Sequence, residues 1–255
     1  MRKIIATIII SAKGQTNGGI FYLFPNIIVN IIYLLPLMFL WRIIASNNID
    51  AGMTLEQLLT YTYMNTILAQ MLVVRTFASS WIYDGQLMRL FTRPAFVFSQ
   101  IIAQTIGEWI PMLVIFSLPM FLIAPLFQIN TTPYTLWFFL SLILCISLGF
   151  AIDFIFSCLT IYLKGMSWLV YSIRMAIISL FSGAVIPFRI LPFNLNIFFE
   201  LQPFGSLGGA PLSLFVGTSE PFRILLIQII WNMILWPAAI LWFKKSKERQ
   251  VSYGG

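Results

Sequence analysis

Long apolar runs alternate with short polar breaks along this chain, and their spacing predicts an all-α polytopic membrane protein with about six transmembrane helices. The predicted spans cover residues 20–44, 55–81, 96–127, 134–163, 168–186 and 222–243. The first holds Pro25 and Pro36 and ends in Trp41 and Arg42, residue types that anchor a helix at the membrane interface. The third holds Pro111, Pro119 and Pro125, so it is expected to kink or break near its outer end. The second is less apolar than its neighbours. Its Thr62, Asn65, Thr66 and Gln70 fall on one helical stripe, which either bonds to adjacent helices or lines a pathway.

Two segments depart from the simple span pattern. Near the start, Lys3, Thr7 and Ser11 share one helical face and leave Ile4, Ile5, Ile8 and Ile9 on the other, which predicts an amino-terminal interfacial helix within residues 1–19. Ser11-Ala12-Lys13 makes a poor signal-cleavage site, so this helix is expected to be retained. Between the fifth and sixth spans, residues 187–217 stay apolar but are interrupted by Pro187, Pro192, Pro203 and Pro211 and by glycines up to Gly217. No full span fits there. Short re-entrant or interfacial helices on the outer side are expected, because broken backbone at membrane depth survives only under protein or in a cavity.

Composition agrees with a bilayer setting. Of 255 residues, 60% are hydrophobic and 9% charged, against about 25% charged in soluble domains. One domain over residues 1–255 is expected: the interfacial helix, six spans in 20–243, and a basic tail in 244–255. The 15 basic residues would suggest nucleic acid in a soluble chain, but here all except Arg75 and Arg174 sit in short loops and at both ends. On one side lie Arg2, Lys3, Lys13, Arg89, Arg93, Lys164, Lys244, Lys245, Lys247 and Arg249; on the other lie Arg42, Arg189 and Arg223. That bias predicts both termini on the cytoplasmic side of the cell membrane and no nucleic-acid partner. The chain has no histidine, which removes His-based metal sites, general bases and nucleophile pairs. No metal site is expected. Cys145 and Cys158 fall on different helical faces, so neither a disulfide nor a metal pair follows.

Four ionisable residues, Arg75, Glu108, Asp153 and Arg174, fall within predicted spans and require partners or water. Asp153 precedes Lys164 by eleven residues and Arg174 follows it by ten, so on antiparallel helices both lie roughly 15 Å deep. An Asp153–Arg174 ion pair is predicted. Counting about the middle of residues 83–94 puts Arg75 and Glu108 at comparable depth and suggests a second pair. Such pairs either fix helix packing or take part in substrate contact or switching.

Residues 83–94 read Y-D-G-Q-L-M-R-L-F-T-R-P, a mixed-charge amphipathic break between two apolar runs. From its residues alone it can lie on a membrane surface or fit into a partner. The pattern Ile82-x-x-Gly85-x-Leu87-x-x-Leu90-x-x-Arg93-Pro94 is similar to one that follows the second span in permease subunits of type-2 ABC exporters. A second stretch, from Ser182-Gly183-x-x-Ile186-Pro187 through Leu191-Pro192, Pro203-Phe204 and Pro211 to Gly217, resembles that family's outer segment. Order and spacing of the spans agree along nearly the whole chain.

The resemblance implies a dimer of two permease halves, identical or homologous, with two ATPase subunits below that drive export. No G-x-x-x-x-G-K-[ST] phosphate loop occurs, so ATP and its Mg would be bound by the partner ATPase and this chain would hold no cofactor and catalyse nothing itself. The resemblance makes residues 83–94 a short cytoplasmic coupling helix between spans two and three. Its apolar contacts would be Leu87, Leu90 and Phe91 and its polar ones Arg89 and Arg93, after Asp84 and Gly85. Gly183, Pro187, Pro192, Pro203, Pro211 and Gly217 would shape the outer re-entrant segment. An amphipathic cargo such as a drug, peptide or lipid suits the polar stripe and the aromatic residues. The alternative from residues alone is a secondary transporter that works without an ATPase, although no internal repeat is visible.

Overall fold

The computed structural model describes residues 2–17, 19–47, 52–83, 88–92, 96–163, 166–193 and 195–252. Among them there are helices and no strands. Helix α1 spans Arg2–Thr16, and a 3-10 turn at Ile20–Leu23 leads into α2, Phe24–Ser46. Four helical stretches are long and apolar enough to cross a membrane: Phe24–Ser46, Val97–Phe127, Trp137–Tyr162 and Pro221–Ser246.

The predicted second span is not one helix. Helix α3 (Leu55–Leu72) starts at a capping box, in which Thr54 accepts from the Gln57 amide and Gln57 accepts from the Thr54 amide, and it stops at Val73. Residues 73–77 are non-helical before α4 (Ala78–Tyr83) resumes. The local cause lies in the sequence Val73-Val74-Arg75-Thr76. Two adjacent β-branched residues weaken the helix, and the Thr76 hydroxyl takes the Ala78 amide at 3.1 Å, giving the backbone an alternative to the helical bond. A single turn, α5 (Met88–Phe91), follows.

The predicted third span stays helical throughout but changes its winding. Helix α6 (Val97–Met112) contains Pro111 and passes through a π-helical turn (Leu113–Ser117) into α7 (Leu118–Ile123), then ends in a 3-10 turn (Ala124–Phe127). Changes of winding absorb the prolines. Helix α8 covers Trp137–Tyr162 and α9 covers Ser167–Phe181. The latter stops five residues before its predicted end because Gly183 takes a left-handed φ of 69°. Its 15 residues reach about 22 Å, less than the ~30 Å hydrocarbon core. After a 3-10 turn (Phe188–Ile190) come α10 (Leu195–Leu201) and α11 (Gly209–Phe215). Helix α12 (Pro221–Ser252) runs on through Pro237 and the first tail lysines, so the basic tail continues the last span. Lys, Glu, Arg and Gln there are good helix formers.

Helix α12 lies along α8, α1 along α6, and α2 along α3. Two apolar clusters result. One gathers Leu58, Tyr61, Ile67, Leu148, Leu212, Leu214 and Ile224 around α11, at the end where the α2–α3, α7–α8 and α11–α12 connections meet. There the Tyr134 amide donates to the Phe215 carbonyl at 2.9 Å and Gln57 Nε2 donates to the Val216 carbonyl at 3.3 Å. The other cluster holds Val74, Ala78, Leu90, Phe98, Phe154 and Phe243 at the opposite end.

Two expectations change with this packing. Trp41 is buried and donates its indole N–H to Thr62 Oγ1 at 2.8 Å, so it fastens α2 to α3 where an interfacial anchor was expected. Helix α1 presents half-buried Thr7, Ile8 and Ser11 towards α6, where Gly107 is flat enough that an added Cβ would lie 2.8 Å from the Ser11 Cβ. Ile4, Ile5, Ile9 and Ile10 face outwards. The outward isoleucines of α1 are therefore left for lipid, while Thr7, Ile8 and Ser11 pack on protein.

Candidate functional site: a broken span closed by a buried ion pair

Helix α8 carries Ser141, Cys145, Gly149, Asp153 and Ser157 four residues apart, a stripe of small side chains with one carboxylate. All five are buried. Small residues at this spacing let another backbone come close, and the break between α3 and α4 settles there. A Cβ on Gly149 would lie 2.6 Å from Val74 Cγ2, one turn further on the Thr76 hydroxyl donates to Asp153 Oδ2, and one turn beyond that Ser79 Oγ meets Ser157 Oγ at 3.0 Å.

Asp153 and Arg174 form an ion pair, each 3% exposed. Arg174 also donates to the Val74 carbonyl at 3.3 Å, one of the acceptors left over by the broken helix. The pair thus does two things: it neutralises two charges in an apolar surround, and it ties α8 and α9 to the backbone of the break. Arg75 does not meet Glu108. Its guanidinium lies 4.4 Å from the centre of the Tyr171 ring, and Glu108 instead accepts from Gln104 Nε2 at 3.2 Å on its own helix. The expected register fails because residues 73–77 are not helical, so counting 1.5 Å per residue across them misplaces Arg75.

A cleft of ≈ 260 Å³ opens beside the pair, lined by Arg75, Thr76, Ser80, Ser167, Trp168 and Tyr171 among others. Val74, Thr76, Gly149 and Tyr171 were not singled out from the sequence. The four-residue repeat from Ser141 to Ser157 is the signal that points to Gly149 and Asp153 as a contact line.

Of the coupling stretch, Asp84, Gly85, Leu87 and Arg93 lie outside the described residues, as does the side chain of Arg89. Leu90 is buried, at 8% exposure, among Val74, Ala78, Val97 and Phe98, and its carbonyl accepts from Gln100 Nε2 at 3.0 Å. It therefore faces the protein interior, whereas an outward contact was expected. Phe91 is half-buried.

Along the polar stripe, buried Thr62 accepts from Trp41 and donates to the Leu58 carbonyl, and Thr66 donates to the Thr62 carbonyl. Asn65 and Gln70 are half-buried. In the segment after α9, the Gly183 carbonyl accepts from the buried Tyr61 hydroxyl at 2.5 Å, and the Gly209 amide donates to the Ser182 carbonyl at 2.6 Å. Pro187 precedes the 3-10 turn, Pro192 and Pro203 open turns, Pro211 lies in buried α11, and Gly217 follows it with a φ of 75°. Glutamine 228 on α12 is fully buried and donates to the carbonyls of Ser141 and Ser206. That joins α12 to α8 and to the turn ahead of α11.

The sequence profile of the family described as ABC-2 family transporter protein matches residues 24–254. The chain belongs to the ABC-2 transporter family. No curated protein matches it. As an ABC-2 membrane protein it is a transport component, and its described helices hold one interior charge pair beside the break between α3 and α4. The family match agrees with the resemblance carried by the stretches at 82–94 and 182–217, although the broken span was not visible in either.

Proposed function

We propose that this chain is the permease subunit of an ATP-driven exporter of an amphipathic substrate, working as one half of a permease dimer with a separate ATPase. The observation that carries this reading is the family match over nearly the whole chain, together with the lack of any phosphate-loop pattern in the sequence. ATP and Mg are then handled in trans. Six spans are counted by taking α3 with α4 as the second and short α9 with the turn after it as the fifth. Both termini and the 83–94 stretch face the cytoplasm, supported by the excess of ten basic residues on that side over three on the other.

Coupling has a physical route. The polar contacts Arg89 and Arg93 and the apolar Leu87 and Phe91 meet the ATPase, while Leu90 anchors the element inwards. Leu90 shares its cluster with Val74 and Ala78, which flank the broken span. A displacement of the coupling element is therefore passed to the break, since packed side chains shift between discrete arrangements and do not deform smoothly.

The test is reconstitution of the chain with an ATPase that co-purifies with it or is encoded beside it. Translocation of an amphipathic probe into proteoliposomes should require ATP hydrolysis and should stop when the ATPase phosphate-loop lysine is replaced. Transport that persists without hydrolysis overturns the reading and favours a secondary transporter.

A further inference from the structure

The cleft beside the broken span is unbalanced in charge. Arg174 is paired with Asp153, but Arg75 has no carboxylate partner among the described residues, and its guanidinium lies over the Tyr171 ring. Arg174 lies 5.9 Å from the centre of the same ring, so two cations and one anion meet around Tyr171. This excess positive charge sits on the non-helical break at residues 73–77, which is held against α8. Asp153, which marks the level of the break on α8, is nine residues from the end of that helix, about 14 Å inside it. An unneutralised guanidinium at that depth needs an anion or water.

The walls specify which anion. Arg75 is exposed to the cleft, and hydroxyl groups of Ser80 and Ser167 line it with Thr76. Beside it Trp168 is 68% exposed and Phe77 43% exposed, so large apolar faces border the polar pocket. A charged, hydroxyl-lined pocket with an apolar rim within a spanning bundle matches a molecule that is anionic at one end and apolar at the other. A soluble anion would use only half of it. We propose that this cleft binds an anionic phospholipid, with the phosphate on Arg75 and the acyl chains against Phe77 and Trp168. The site requires only that the chain sits in a membrane, so it stands whether or not the exporter reading does.

The full chain is purified and placed in nanodiscs of phosphatidylcholine with added phosphatidylglycerol, and the lipid retained on the protein is measured by native mass spectrometry. The wild-type chain should retain phosphatidylglycerol over phosphatidylcholine by roughly tenfold, the ratio expected of one charge-assisted contact. Arg75→Gln should lose that preference, Arg75→Lys should fall between the two, and Arg42→Gln, at the far end of α2, should match wild type. Retention by Arg75→Gln equal to wild type overturns the proposal. On the unmodified protein, soluble glycerol phosphate should not displace the lipid. If it competes as well as the lipid does, the pocket is a soluble-anion site and the lipid assignment falls.

Discussion

Removing one member of the Asp153–Arg174 pair is the sharpest test of how the broken span is held. Arg174→Met leaves the Asp153 carboxylate at 3% exposure without its cation, a loss of about 3–5 kcal/mol for a buried ion left alone. It also strips the Val74 carbonyl of its donor, worth about 1–3 kcal/mol for a buried acceptor. Asp153→Leu should cost a similar ~3–5 kcal/mol by isolating Arg174. The double variant carries no buried charge and loses only hydrogen bonds, about 1–3 kcal/mol for the orphaned Val74 carbonyl and about 0.5–1.5 kcal/mol for the Thr76 hydroxyl, which keeps the Ala78 amide, so it should cost less than either single. Exchanging the two residues should rescue less well than removing both. An aspartate at 174 cannot donate to the Val74 carbonyl, and an arginine at 153 cannot accept from the Thr76 hydroxyl. The assay is reversible unfolding in mixed micelles titrated with denaturing detergent, followed by tryptophan fluorescence. If the double variant loses as much as the two singles added together, the pair does not act as a unit and the account of the break is wrong.

Three further outcomes follow from the packing. Leu90→Asp should destabilise the isolated permease by about 3 kcal/mol or more, because it puts a carboxylate among Val74, Ala78 and Phe98, and its melting temperature should fall without any ATPase present; Phe91→Asp should fall much less. Tyr61→Phe should cost about 1–3 kcal/mol by orphaning the Gly183 carbonyl, and an unchanged melt would show that water replaces the hydroxyl. Gly107→Leu should push α1 off α6 at a cost of about 1–3 kcal/mol, read as faster thiol labelling of an Ile8→Cys reporter in that background.

The apolar runs made the four long spans legible, because a long apolar stretch is a strong signal wherever nothing interrupts the helix. Asp153 and Arg174 could be matched because a very short turn joins their helices, leaving little slack in the count. Arg75 could not, since the interruption after Leu72 depends on a tertiary feature: the flat surface at Gly149 and the carboxylate one turn later. Trp41 read as an anchor because its partner Thr62 lies on another helix. Leu90 read as an outward contact because an amphipathic turn does not reveal which of its faces the rest of the chain covers.

The position of α11 bears on how the chain is made. Leu212 and Leu214 are wholly covered, largely by α3 and α8, and the turn just ahead of them is fastened by Gln228 of α12. Ribosomal synthesis completes α3 and α8 early, yet Gln228 emerges only after α11 itself. Final seating of this apolar segment must therefore wait for the last helix to enter the bilayer. Membrane insertion and closure of this end become one late event, and a chain halted before residue 221 would carry a greasy, unfastened segment for quality control to recognise.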